Sequence, residues 1–135
     1  MRNTIEEIEQ EFWGYASLKD FPLVQEVHVL RKKDLDEFEA KDLLTLIGQK
    51  LSLEIVVPMA MVLLREKPLL EAQFYDGDLL NTVLKYGKDF WVEHPETKCE
   101  LLNLVEARFQ TQEFLDLYDF IQELLKKSFE KFKSE

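Results

Sequence analysis

The feature that most constrains this chain is an apolar stretch, LSLEIVVPMAMVLL, at residues 51–64. Residues 55–64 carry no charged side chain, but a membrane-spanning helix needs about 20 apolar residues. Methionine, alanine and leucine favour a helix over a strand here. We therefore expect a central helix that is apolar around most of its circumference and is covered by other helices. Pro58 predicts a kink, or a late helix start near Val57.

The rest of the sequence has the periodicity of helices. Only four glycines and four prolines occur in the 135 residues, which is few for an all-β chain that must turn about every 8–12 residues. Apolar residues recur at helical spacing on both sides of the central stretch, as in residues 101–109 and 114–132. We predict an all-α fold, with one domain at 1–135 in which six or seven helices pack around the central helix. Thr111 is expected to cap the last helix. Leu115 and Phe120 lie off the main apolar stripe of that helix, which predicts a second contact surface there.

The charge balance limits the kinds of partner. The chain has 27 acidic and 17 basic residues and a net charge of −10. This argues against nucleic acid or an anionic membrane as a partner, and it favours a basic protein. The alternative is that the acidity serves only solubility. A single cysteine, Cys99, and the absence of a signal peptide or lipidation motif predict a cytoplasmic protein.

The residues of known catalytic and metal-binding motifs are missing or badly spaced. The four glycines are too scattered for a phosphate-binding loop. His28 and His94 lie in no zinc or di-iron motif, and Cys99 has no cysteine partner. The Asp-Gly-Asp at 76–78 lacks the later oxygen ligands of a calcium loop. We therefore predict no enzymatic activity, no cofactor and no metal.

Several sequence segments nevertheless match a known family. They are IEEIEQEFWG at 5–14, VHVLRKKDLDEF at 27–38, DLLTLIGQ at 42–49, VVPMAMVLL at 56–64, KPLLEAQFYDGDLLNTVL at 67–84 and DFW at 89–91. On these segments the chain resembles the α-helical immunity proteins of contact-dependent growth inhibition, over about residues 4–95. The residues after 95 match only as amphipathic helix.

The resemblance implies a small cytoplasmic protein that binds the C-terminal toxin domain of a CdiA-type effector, often a nuclease, and blocks it without catalysis. Because nucleases are commonly basic around the substrate cleft, we hypothesise that an acidic face covers that cleft in place of phosphate. The alternative is a small acidic helical adaptor or regulator that binds another basic protein.

The residues predicted to contact the partner are carboxylates and an aromatic that lie close together in the sequence. Aromatic anchors beside carboxylates suit a surface for an Arg- or Lys-rich partner. For the acidic residues the alternative is a solvated face without a binding role, and for Trp91 it is the core. The predicted contact residues are Asp34, Asp36, Asp76, Asp78, Asp89, Trp91 and Glu93.

Overall fold

The computed structural model describes residues 3–135, and helices account for its regular structure. The α-helices are α1 (Ile5–Glu9), α2 (Pro22–Lys32), α3 (Ala40–Gly48), α4 (Leu53–Glu66), α5 (Asp78–Tyr86), α6 (Lys88–Glu93), α7 (Pro95–Phe109), α8 (Gln112–Leu115) and α9 (Asp119–Ser134), with a 3-10 turn at Leu35–Glu37. Within 3–135 the only β pairing is an isolated bridge between Glu71 and Asp76. The all-α prediction is confirmed.

The described residues form nine α-helices, more than the six or seven predicted. Two of the helices, α6 and α8, are short, and α8 covers residues that the sequence predicts as the first turn of the last helix. Thr111 does cap a helix, because its Oγ1 accepts the Phe114 N–H at 3.3 Å, but that helix ends at Leu115. The last helix begins separately at Asp119. The predicted last helix is therefore two helices, α8 and α9, joined by residues 116–118.

Helix α4 is the predicted central helix, and it buries one face completely. Its inward residues include Val57, Ala60 and Met61, each with 0% exposure. The helix starts at Leu53, so Pro58 does not delay its start. The flanking residues Ile55, Met59 and Leu63 are partly buried against the core, so α4 is covered around most of its circumference. A narrow stripe remains exposed, and it includes Glu54, Pro58, Val62 and Arg65.

Helix α5 brings together the two parts of the chain that form the surface described below. It packs against α3 on one side and α9 on another, and α3 in turn packs against α4. Leu79, Leu80 and Val83 of α5 are fully buried. The loop that precedes α5 and the turn that precedes α9 both contribute to one groove.

Candidate partner-binding surface

The loop at 69–77 is held in place by one buried carboxylate. The Asp78 side chain accepts hydrogen bonds from the backbone N–H groups of Ala72 at 2.7 Å, Gln73 at 3.0 Å and Phe74 at 2.8 Å. Asp78 itself is only 1% exposed. Gly77 has a φ of +88°, a conformation that favours glycine. These constraints fix the direction in which Phe74 leaves the loop, and its side chain is 69% exposed.

Tyr75 connects this loop to the helices beneath it. Asn81 Nδ2 donates a hydrogen bond to the Tyr75 hydroxyl at 3.1 Å, and Ser128 Oγ donates to Asn81 Oδ1 at 2.5 Å. Burial raises the pKa of the Tyr75 phenol above its ordinary value. This polar chain links the loop to α5 and α9 through side chains that are largely enclosed, so it restricts movement of the loop.

The turn between α8 and α9 presents aromatic side chains to solvent. Tyr118 and Phe120 are 75% and 66% exposed, and their rings lie nearly parallel with centroids 6.1 Å apart. Gln122 Nε2 donates to the carbonyl oxygens of Leu115 at 3.1 Å and Leu117 at 2.8 Å, which stabilises the turn. The exposure of Phe120 agrees with its position off the apolar stripe of the last helix.

The loop and the turn enclose a groove of about 300 Å³. We name it the acidic aromatic groove and define it by its lining residues: Glu71, Phe74, Tyr75, Asp76, Asp116, Leu117, Tyr118, Phe120 and Ile121. The loop wall comprises the members at 71–76, and the turn wall comprises those at 116–121. Exposed aromatic faces beside carboxylates are suited to bind the side chains of arginine and lysine.

The groove carries negative charge without local compensation. Glu71, Asp76 and Asp116 are all exposed, and none of the lining residues is basic. None of the salt bridges among residues 3–135 involves these three carboxylates. Asp116 does accept a hydrogen bond from Gln112 Nε2 at 2.8 Å. A basic partner could therefore pair with these carboxylates without first breaking a salt bridge to a lysine or arginine of the same chain.

The structure brings only one of the seven predicted contact residues into the lining of this groove, namely Asp76. Asp78 was predicted to contact the partner as an exposed carboxylate, but it lies beneath the loop with an exposure of 1%. Three backbone N–H groups replace water around it. Trp91 is 3% exposed, in agreement with the core alternative, and its ring contacts Phe90 and Phe132 edge-on.

The other four predicted residues lie on two different elements. Asp34 precedes the 3-10 turn, where its side chain accepts the N–H of Asp36 at 3.0 Å. Asp89 and Glu93 belong to α6 and are exposed. No finding tests whether these residues contact a partner, so those contacts stay predictions.

Sequence reasoning missed most of the groove. Glu71, Phe74, Asp116 and Tyr118 were not among the predicted contact residues, although the pattern of carboxylates beside aromatics occurs at both walls. That pattern, together with Phe120 lying off the apolar stripe, is the signal that could have found them. What the sequence lacks is the pairing of α5 with α9, which brings residues about 40 positions apart into one groove.

A larger groove, of about 500 Å³, lies along α2 and has a different character. Its lining includes Tyr15, His28, Lys32 and Lys33. Lys33 forms a salt bridge with Asp42 at 2.8 Å, and Lys32 lies 3.5 Å from Glu6, so internal carboxylates balance its charge. Charge therefore gives this groove no preference for a basic partner.

Two further observations concern other kinds of site. In the part of the chain that the structure describes, no three His, Cys, Asp or Glu side chains cluster in a way that could hold a metal ion. Among the helices of residues 3–135, none has both the length and the apolarity to cross a membrane.

The family comparison identifies the kind of protein. The family model of CDI immunity proteins matches residues 7–101, which is well over half of the chain. The chain belongs to the CDI immunity protein family. This confirms the resemblance seen in the sequence, and it supports a toxin-neutralising immunity function. The comparison with curated proteins finds no match, and neither does the comparison with solved structures.

The family match divides the acidic aromatic groove between its two walls. The loop wall of this immunity protein lies within the matched residues 7–101, whereas the turn wall lies beyond them. The buried carboxylate of Asp78 and the connection through Asn81 also belong to the matched part. The family-matched region thus contains the Asp78 carboxylate and Asn81, whereas Ser128, which donates a hydrogen bond to Asn81, lies outside it.

Proposed function

We propose that this immunity protein neutralises the C-terminal toxin domain of a CdiA-type effector by binding it through the acidic aromatic groove. The bound toxin is a nuclease, and the groove covers the basic cleft in which the nuclease holds its substrate. Neutralisation proceeds by binding alone, without a catalytic step, in the cytoplasm, where an incoming nuclease reaches nucleic acid. The observation that carries this proposal is a groove with three uncompensated carboxylates, exposed aromatic rings and no basic residue in its lining.

The aromatic side chains supply the apolar part of the interface. Phe74, Tyr118 and Phe120 are each at least 66% exposed, so a partner that covers them removes large apolar surfaces from water. Burial of exposed apolar area contributes about 25 cal/mol per Å² before the losses of association are subtracted. Aromatic residues near the centre of an interface commonly carry most of its binding energy. These three residues are accordingly the proposed anchors.

The carboxylates supply attraction and orientation. With a net charge of −10, the protein attracts a basic domain over long distances, and salt screens this attraction. Close charge pairs across an interface can couple by about 1.5–7 kcal/mol. The exposed predicted residues Asp36, Asp89 and Glu93, and the half-buried Asp34, are proposed to add to the acidic surface outside the groove.

The interface must extend beyond the groove itself. A stable protein complex buries about 1,600 Å² in total, and a groove of about 300 Å³ accepts only a few side chains. Leu115, which is 54% exposed beside the turn wall, can enlarge the apolar contact. The groove is therefore proposed as the centre of the interface, with a polar rim around it.

Calorimetric titration of charge-reversal variants tests the proposal. The toxin domain encoded immediately upstream is titrated into the wild type, Asp116→Lys and a matched control, Glu106→Lys, which is exposed on α7 outside the groove lining. We expect Asp116→Lys to weaken binding about a hundredfold, since a close pair becomes a repulsion. The control changes net charge equally but should alter only the long-range attraction. Equal losses for the two variants would refute the groove as the contact.

Truncation of aromatic side chains tests the apolar half of the proposal. Tyr118→Ala should lower the affinity at least about tenfold, as expected of an aromatic anchor. Tyr15→Ala is the matched control, because Tyr15 is 89% exposed and lines the larger groove along α2. A loss confined to Tyr15→Ala would move the interface to the α2 groove.

A further inference from the structure

The two walls of the acidic aromatic groove differ in how they are built. The loop wall is constrained from behind by the Asp78 carboxylate, by Gly77 at positive φ and by the hydroxyl of Tyr75. A Cβ atom at Gly77 would lie 3.1 Å from Leu125 Cδ1, so even a small side chain there disturbs the contact with α9. The loop is consequently tied to both α5 and α9.

The turn wall is anchored by a different set of contacts. Phe114 and Ile121, on either side of the turn, are 0% and 4% exposed, and they fix it to the core. Between them, Tyr118 and Phe120 expose most of their surface. Exposed positions tolerate substitution with little change in stability, usually within about 0.5 kcal/mol. The groove-facing side chains of the turn can therefore change while the fold stays the same.

We propose that the turn wall determines which toxin this immunity protein binds, with Asp116, Tyr118 and Phe120 as its specificity-determining residues. The loop wall provides contacts that do not discriminate between toxins of related systems. This inference rests on the proposed function, because it assigns a role to one side of the same groove.

The chemistry of the turn wall indicates what the cognate toxin presents to it. The stacked rings of Tyr118 and Phe120 offer flat apolar faces, and Asp116 offers a carboxylate within the same groove. A planar guanidinium group matches this combination, since it stacks on aromatic rings and binds carboxylates with two parallel hydrogen bonds. The cognate toxin therefore places an arginine side chain against the turn wall.

Rejection of other toxins follows from the same contacts. A toxin without a cation at that position would remove water from Asp116 and leave the carboxylate without a partner, which opposes binding. A toxin with a bulky side chain there would collide with the ring pair. Specificity then arises from unfavourable contacts with the wrong toxin as well as favourable contacts with the right one.

A paired selection tests this inference. Two libraries of equal size are made in the full chain, one randomised at Asp116, Tyr118 and Phe120, and the other at the loop-wall positions Glu71, Phe74 and Asp76. Each library is selected for binding to the toxin domain of a different effector, one neutralised by another member of the family. We expect the turn-wall library to yield folded variants that prefer the new toxin to the original one at least tenfold. The loop-wall library should yield none.

The outcomes separate this inference from the proposed function. Variants of the loop-wall library that prefer the new toxin would overturn the role of the turn wall. The same conclusion would follow if neither library yielded a variant that prefers the new toxin. The groove could still be the toxin-binding surface in that case, provided that Asp116→Lys weakens binding of the cognate toxin more than Glu106→Lys does. If the wild type does not bind the cognate toxin at all, the proposed function is wrong and this inference falls with it. Thermal unfolding of the selected variants excludes altered folding as the cause.

Discussion

Substitution of Asp78 by asparagine tests the structural basis of the groove most sharply. One carboxylate oxygen of Asp78 accepts the Ala72 N–H, and the other accepts the N–H groups of Gln73 and Phe74. In Asp78→Asn, one of these oxygens becomes an NH₂ group, which places donor against donor. The variant thus keeps the shape of the side chain but cannot satisfy all three backbone groups.

The expected loss of stability follows from those three bonds. A hydrogen bond to a charged group contributes about 1.5–3 kcal/mol, whereas a neutral one contributes about 1 kcal/mol. In Asp78→Asn at least one hydrogen bond is lost, and the others become neutral because asparagine carries no charge. Water cannot replace the missing acceptor, since residue 78 is only 1% exposed. The free energy of unfolding should therefore fall by about 3 kcal/mol. With a slope of about 2 kcal/mol/M, the urea midpoint should fall by about 1.5 M.

Urea denaturation followed by circular dichroism provides the measurement, with Asp76→Asn as the matched control. Asp76 is two residues away and exposed, so its conversion to asparagine should leave the midpoint almost unchanged. If Asp78→Asn unfolds at the same urea concentration as the control, the Asp78 carboxylate does not hold the loop and this reasoning is wrong. Where Asp78→Asn remains folded, its affinity for the toxin should also fall, because Phe74 is no longer held in place.

Three further predictions concern other parts of the chain. Gly87→Ala should lower the free energy of unfolding by about 1–3 kcal/mol in urea denaturation, because a Cβ atom would lie 2.7 Å from Trp91 Nε1. The exposed Arg65–Glu100 salt bridge lowers the pKa of Glu100, so Arg65→Ala should cost less than about 1 kcal/mol at neutral pH. This loss should disappear as the pH falls through the lowered pKa of Glu100. Spectrophotometric titration should show Tyr75 deprotonating above the ordinary pH range of a phenol, since its pKa is raised.

Each of these predictions has a result that contradicts it. A Gly87→Ala variant as stable as the wild type would show that Trp91 moves without loss. A difference between wild type and Arg65→Ala that persists at acidic pH would exclude Glu100 as the origin of the effect. Because the folded pKa of Tyr75 is raised, its contribution to stability is complete below the unfolded pKa and is lost as the pH rises through the folded pKa. If the Tyr75→Phe variant still shows the phenol transition at raised pH that the wild type shows, that transition does not belong to Tyr75 and the prediction is wrong.

The periodicity of the sequence was sufficient to predict the helical fold and its central helix. The apolar stretch at 51–64 predicts a buried helix because its run of uncharged residues is longer than a typical strand. As expected, α4 buries Val57, Ala60 and Met61. The stripe of α4 that reaches solvent was not predictable in the same way, since Pro58 and Val62 look as apolar as their buried neighbours. Which face is covered depends on how the other helices pack.

The site was less predictable because its parts meet only through tertiary structure. Asp76 was found from its place beside aromatic residues, and it lines the groove. Asp78 shows the same local pattern but is buried, because its partners are backbone N–H groups of a loop whose path the sequence does not specify. Trp91 could be core or surface from its sequence, and only packing against Phe132 decides in favour of the core.

Calorimetry of the wild type with the toxin domain encoded immediately upstream, at low and at high salt, tests the central claim most directly. The groove of uncompensated carboxylates and exposed rings predicts nanomolar affinity that weakens markedly as salt rises. Tight binding that is indifferent to salt would contradict the electrostatic part of the account and leave the apolar contacts of Phe74, Tyr118 and Phe120 as the source of affinity. Absence of binding would contradict the proposed function altogether and favour a small acidic adaptor with another basic partner.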